Sequence, residues 1–433
     1  MTQATVAAPI APPLPLVRWY VLAIMCLGYA INIADRYVVT TVMESMRLEL
    51  HLTDSGIAFL TGIPLAVFYV TLGIPLSWLA DKSNRRNILG AALIIWSGMT
   101  AFCGLSQNYL QFLLARIGVG VGEAGGTPPA NSIIADNFTA ARRPMAMTIF
   151  ALGAPLGAWM GADMAGAVAN LYGWRAAFLA LGVPGLLLGL IVFLTIKEPQ
   201  RGRLDDSDHT TKVTFLQSMA FLWKQKACVH VCMGGGVSAL WGWGLIWFTP
   251  TFLQRAYHLN VGEAGGLIGP IHLIAGFAAT VVTAWLLSRR AFDDPRNVSW
   301  LLAGGVALAT IPSFFAFYTH QLWVAKLMFW LFIPAIYFYI GPAMALIQNL
   351  APAKMRATFI AISLLIANVL NLIVAPQAVG FMSDHFAGPA GADAESLRLA
   401  LLILAPTGFW AAYHYWAAAR TIVAEQKLAI GYV

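Results

Sequence analysis

Twelve stretches of this chain are each apolar over about the length that a helix needs to cross a ~30 Å hydrocarbon layer. They run roughly over 17–43, 55–80, 87–106, 109–136, 144–171, 175–196, 226–250, 261–288, 297–318, 321–350, 356–383 and 398–420. No soluble core hides that many. The alternation of period two that marks a membrane barrel is absent, so the spans are helical. Charged residues make up only 10% of the chain, against about a quarter in a soluble domain. The expected fold class is an all-α membrane protein of twelve transmembrane helices.

The net charge of +7 is a topology signal and not a nucleic-acid footprint. Counted in alternate loops from an inside N-terminus, 19 Lys and Arg residues fall on one side, and only Arg47, Arg175, Arg255 and Arg398 on the other. The bias puts both termini in the cytoplasm, where the surplus also attracts anionic lipid headgroups. The leading MTQATVAAPIAPPLPL lacks the charged start of a secretory signal, so the first span reads as retained. Cys26, Cys103, Cys228 and Cys232 fall within or beside spans, which argues against a disulfide framework. No metal-ligand spacing, phosphate loop or nucleophile motif appears. No enzyme activity, metal or cofactor is expected.

The most polar stretch, KEPQRGRLDDSDHTTK (197–212), separates six spans from six. The expected organisation is an N-terminal bundle over 1–196, a cytoplasmic linker over 197–215 and a C-terminal bundle over 216–433. The halves echo each other: 53–82 and 260–289 share one plan, as do 131–147 and 345–361. Such repeats are typical of transporters with a site near mid-bilayer.

The hexapeptide VGEAGG occurs twice, at 121–126 and 261–266. The second copy reads as a helix start, with Asn260 as cap and Glu263 three residues on. The first lies inside span four, where a glutamate is expensive. The overlapping GVGEAG (120–125) matches G-x-G-x-x-G, but no strand precedes it, so small residues that let helices approach are the better reading. Pro128 and Pro129 then kink the span.

Asp35 and Arg36 in span one, and Arg116 and Glu123 in span four, carry charge into the membrane, each costing at least ~2.5–3.5 kcal/mol. Asp35 lies about 13 Å below the outer end of its span, and Arg116 and Glu123 about 10 and 20 Å down theirs. Two acids and two bases cancel, so they are expected to pair, Asp35 with Arg116 and Arg36 with Glu123. A carboxyl whose arginine moves away between two conformations changes its proton affinity, which is what proton coupling requires. Asp35 and Glu123 are the expected proton-coupling residues. Arg36 and Arg116 are the expected substrate-binding cations, with Asn32 and His272 as further binding candidates. Trp243 and Trp247 share a face of span seven that could pack against an acyl chain, but interfacial anchoring is the better reading; Asn368 and Asn371 suit helix joining, and Gly153, Gly157 and Gly161 a packing stripe.

The loop DKSNRR (81–86) resembles the loop between spans two and three of the major facilitator superfamily, G-x-L-a-D-r-x-G-R-R, with Ser77 and Asn84 near its glycine positions. The resemblance covers nearly the whole chain. It implies a cytoplasmic gate in which Arg86 pairs with Asp136, Asp81 faces the start of span eleven, and Arg85 belongs to the same latch. A closer resemblance, to the Spinster-like branch, rests on NIADRY (32–37), RIGVGVGEA (116–124), SIIADNF (132–138), FALGAPLGAWMG (150–161) and KEPQRG (197–202). It implies two six-helix bundles, proton-linked alternating access and an amphiphilic lipid-like anion such as a sphingoid phosphate or lysophospholipid. Asp35, Arg36, Arg116 and Glu123 match that branch's coupling positions. Organic-anion symporters for sugar acids share the Asp-Arg and Glu-Ala pairs. An uncoupled scramblase is the further alternative. The expected protein is monomeric, sits in a bacterial-type inner membrane, and has lipids, protons and the substrate as partners.

Overall fold

The computed structural model describes residues 15–139, 142–200, 214–352 and 355–430. Most of the expected linker falls outside them. The N-terminal half comprises α1 (Pro15–Glu49), α2 (Asp54–Lys82), α3 (Arg85–Leu105), α4 (Tyr109–Glu123), α5 (Thr127–Asn137), α6 (Arg143–Ala151), α7 (Gly153–Trp159), α8 (Ala165–Tyr172) and α9 (Trp174–Thr195). The C-terminal half comprises α10 (Phe215–Lys224), α11 (Lys226–Tyr257), α12 (Val261–Leu287), α13 (Pro295–Tyr318), α14 (Leu322–Phe338), α15 (Ile340–Leu350), α16 (Arg356–Asn368), α17 (Ala375–Phe386), α18 (Ala394–Leu404), α19 (Thr407–Ala418) and α20 (Ile422–Ile430).

Eleven of the expected spans are helices long and apolar enough to cross a membrane. Span four differs. It is two shorter helices, α4 and α5, broken at Ala124–Gly126, with α5 starting on Thr127, Pro128 and Pro129. Proline lacks the N–H that would continue the ladder but fits a first turn, so the pair turns the expected kink into a restart. Spans five and eleven occupy equivalent places in the two halves, and each carries a π-helical turn, Met160–Met164 and Val369–Val374.

The halves meet along two seams that the repeat makes equivalent. In one, α12 lies against span five, where a side chain on Gly265 or Gly269 would strike Ala162 or Asp163. In the other, α2 lies against span eleven, where one on Gly62 or Gly380 would strike the backbone of Leu372 or of Asp54 and Ser55. Within the N-terminal half, Gly153, Gly157 and Gly161 press on the carbonyl oxygens of Cys26, Ala30 and Ala34. Each set repeats every four residues. The stripe therefore fixes the register of α1, and with it the depth of Asp35 and Arg36.

The second VGEAGG behaves as expected. Asn260 accepts from the Glu263 N–H at 2.9 Å, and Glu263 accepts from the Asn260 N–H at 2.9 Å. The first copy ends α4. Its glycines bring backbones together: side chains on Gly120 and Gly122 would meet the main chain of Leu65 and Trp96.

Candidate functional site

The four intramembrane charges come together as two pairs. Arg36 Nη2 donates to Glu123 Oε2 at 2.7 Å, and Arg116 Nη1 to Asp35 Oδ2 at 3.0 Å. Thr100 donates to the other Asp35 oxygen. Asp35, Arg116 and Glu123 are all at most 1% exposed. Arg36 differs: its side chain is 17% exposed and its guanidinium lies 5.4 Å from the Tyr69 ring centroid. The cluster is not saturated. Glu123 Oε1, Arg36 Nε, and Arg116 Nε and Nη2 are buried without a hydrogen-bond partner among the described residues. A bridge selected only for stability would leave fewer such groups, since each costs about 1–3 kcal/mol.

Between the halves lies a cavity with about 1070 Å³ of empty space, its open mouth included. Arg36, Tyr37 and Thr40 of α1 line one wall, and Trp243 and Trp247 of α11 the facing one. Asn368 and Asn371 also line it. Two expectations are corrected here. Trp243 and Trp247 are cavity walls and not interfacial anchors, because they lie deep in α11, most of whose far half is buried. Asn368 and Asn371 face the cavity, with Asn371 Oδ1 lacking a partner among the described residues, and do not tie helices together.

Of the four candidate binding residues, only Arg36 reaches this cavity in the conformation described. Arg116 sits one layer behind, fully buried on Asp35. Asn32 lines a separate narrow cleft inside the N-terminal half, between α1, α3 and the start of α5. His272 is fully buried, with Nδ1 2.9 Å from the Tyr337 hydroxyl and 3.4 Å from that of Tyr37. The Tyr37 contact joins the two halves at the residue next to Arg36. Neither tyrosine stood out in the sequence.

The residues around the cluster and the two-seam fold match known carriers. A model of the Major Facilitator Superfamily matches residues 25–376. The chain belongs to that superfamily. A solved bacterial homologue of the human lysosomal transporter Spinster, in an inward-facing and unoccupied conformation, is 30% identical and covers 95% of this chain and 99% of its own, at a TM-score of 0.83. An MFS-type efflux pump of Mycolicibacterium smegmatis is 28% identical over 94% of this chain and 95% of its own. A sphingosine-1-phosphate transporter of Mus musculus is 25% identical over 84% and 69%. The chain is thus a Spinster-like major facilitator, a multi-pass membrane transporter and not an enzyme.

The gate expected of a major facilitator on the linker side needs a correction. Arg85, and not Arg86, bonds Asp136, at 2.5 Å, and it also donates to Ser132 and Glu198 at 2.7 Å and to the Pro199 carbonyl at 2.8 Å. Arg86 turns instead to the end of α9, donating to the Phe193 carbonyl at 2.9 Å. The two arginines open α3 as neighbours and point about 100° apart, so only one faces α5. Glu198 binds both, accepting from the Arg86 N–H at 2.8 Å. The side chain of Asp81 lies outside the described residues.

The opposite, far side of this Spinster-like chain carries an ionic latch that sequence reasoning missed. Arg255 of α11 donates to both oxygens of Asp54 on α2, at 2.7 and 2.8 Å, and to Glu44 of α1 at 2.6 Å. Ser383 donates to Asp54 at 2.7 Å. Asp384 accepts from the N–H groups of Asp54 and Ser55, both at 2.9 Å. These bonds cross from one half to the other. Glu44, Asp54 and Arg255 lie near span ends, where charge is ordinary, so nothing in the sequence marked them.

Proposed function

We propose that this protein is a proton-coupled secondary transporter of an amphiphilic anion, working by alternating access between its two halves. The observation that carries the reading is the placement of Arg36. It forms part of the cavity wall, and behind it sits Glu123, at 2.7 Å and 1% exposed. An anionic headgroup entering the cavity competes with Glu123 for the same guanidinium. Glu123, losing its counter-ion in an apolar site, takes up a proton. Anion and proton then load together. Asp35 and Arg116 form a second pair in the same stack, poised to exchange partners when α1 moves against α4.

The cavity wall favours an amphiphile over a small sugar acid. One cation faces aromatic and aliphatic side chains from the other half, among them Trp243, Ile246, Trp247 and Leu372. A lysophospholipid or sphingoid phosphate supplies one charge and a chain to match. The latched far side and the inward-facing relative support a cavity open toward the cytoplasm, with both termini there and the protein in a bacterial-type inner membrane. The proton gradient is the only energy source required.

The test is uptake into sealed proteoliposomes with an imposed pH gradient. Labelled lysophospholipid and a labelled sugar acid are offered separately. The reading expects gradient-driven lysolipid movement that Glu123→Gln abolishes. Gradient-driven uptake of the sugar acid alone would favour the small-anion symporter, and lipid movement indifferent to the gradient and to Glu123→Gln would leave a scramblase.

A further inference from the structure

On the far side, away from the central cavity, a groove of about 920 Å³, open side included, runs between α12 and α14. Its mouth carries one charge on each wall, Glu263 of α12 and Lys326 of α14. Like Arg36 and Arg116, Lys326 lies inside a span and not in a loop, about one turn from the start of α14. It is exposed and makes no hydrogen bond or ion pair with a described residue. Glu263 gives one oxygen to the α12 cap and keeps the other free of described partners. The two charges do not bond each other. The floor is apolar, formed by Gly266, Leu267, Pro270 and Trp330, and reaches about 10 Å below Glu263 by helical rise. Trp330 is 40% exposed there.

A bare cation and a half-used carboxylate facing each other across a lipid-facing groove are complementary to a zwitterion. We propose that the groove binds a zwitterionic phospholipid of the surrounding bilayer, of the phosphatidylethanolamine type. Its phosphate sits on Lys326 and its ammonium, with three N–H donors, on Glu263. One acyl chain lies along Gly266, Pro270 and Trp330. A purely anionic lipid satisfies Lys326 but brings no donor to Glu263. The site is independent of the transport reading, since none of its residues lines the central cavity.

The experiment is native mass spectrometry of the full-length protein in detergent, titrated with dioleoyl phosphatidylethanolamine or dioleoyl phosphatidylglycerol. Wild type is expected to bind the ethanolamine lipid roughly fivefold more tightly, the scale of one charged contact near a membrane surface. Lys326→Gln weakens both lipids. Glu263→Gln erases the preference while leaving the fold intact, because glutamine serves equally at the third position of a capping box. Arg36→Gln changes neither. Equal binding of the two lipids to wild type, or a preference unchanged in both groove variants, overturns the proposal. So does a loss seen only in Arg36→Gln, which places the lipid in the central cavity.

Discussion

Arg36 forms part of the wall of the central cavity while its guanidinium holds Glu123, 2.7 Å away, in a layer the cavity does not reach. Charge that a ligand can touch is thereby wired to a carboxylate that it cannot. The companion pair, Asp35 and Arg116, is buried on both sides.

The two arginines should therefore fail differently. Arg36→Gln is expected to raise the KM for the anion at least tenfold, the loss of about one charged contact, with a thermal midpoint that falls less than in Arg116→Gln, because Glu123, next to the cavity, relieves its lost counter-ion by taking up a proton. Arg116→Gln strands Asp35 as a buried unpaired charge, which costs about 3–5 kcal/mol, and should lower the midpoint and the yield. Binding assays and thermal melts on the purified variants separate the two.

The far-side latch sets the resting conformation. Asp54→Asn keeps the shape of the side chain but removes the charge that two Arg255 nitrogens share. Breaking a buried pair at about 3 kcal/mol moves a two-state equilibrium by roughly a hundredfold. Spin labels placed on the far ends of α2 and α11 should then report a longer distance in the variant than in wild type. An unchanged distance would mean that the glycine seams alone hold this side shut.

On the linker side, Arg85 and Arg86 look interchangeable in sequence and are not in structure. Arg85→Ala removes hydrogen bonds to Asp136, Ser132, Glu198 and Pro199 and is expected to destabilise by about 3–5 kcal/mol. Arg86→Ala loses bonds to main-chain carbonyls at the end of α9 and should cost about 1–2 kcal/mol. Chemical denaturation of the N-terminal half, followed by Trp96 fluorescence in a background lacking the other tryptophans, ranks them.

The stripe on span five tests the packing that sets the depth of the charges. Gly157→Leu drives a side chain into the carbonyl of Ala30, and overpacking of this kind costs about 1–3 kcal/mol or more. It should abolish transport along with stability, since α1 carries Arg36 to the cavity. Gly304→Ala, where nothing lies within 4 Å of the added carbon, is the matched control and should be silent in both assays.

Much of the site was legible because membranes make charge conspicuous. Asp35, Arg36, Arg116 and Glu123 stood out against apolar surroundings, and their spacing along two spans was enough to pair them. The capping box at Asn260 and Glu263 was legible because it is local. What escaped depends on tertiary placement. Glu44, Asp54 and Arg255 sit where any loop charge sits, and only the meeting of α1, α2 and α11 gives them a partner across the halves. Tyr37 and Tyr337 are unremarkable letters until the fold puts His272 between them. The choice of Arg85 over Arg86 turned on a 100° rotation that the motif does not encode. Trp243 and Trp247 misled because tryptophan favours the interface, and here the cavity claimed them instead.

The central claim is that an anion and a proton load together because they share Arg36 through Glu123. The most direct measurement is proton uptake on binding, read with a pH-indicator dye in weakly buffered detergent solution as a lysophospholipid is added to the purified protein. Close to one proton should be taken up per anion bound, affinity should tighten as pH falls, and Glu123→Gln should bind without proton uptake. Anion binding to wild type with no proton uptake, or the same uptake in Glu123→Gln, would contradict it.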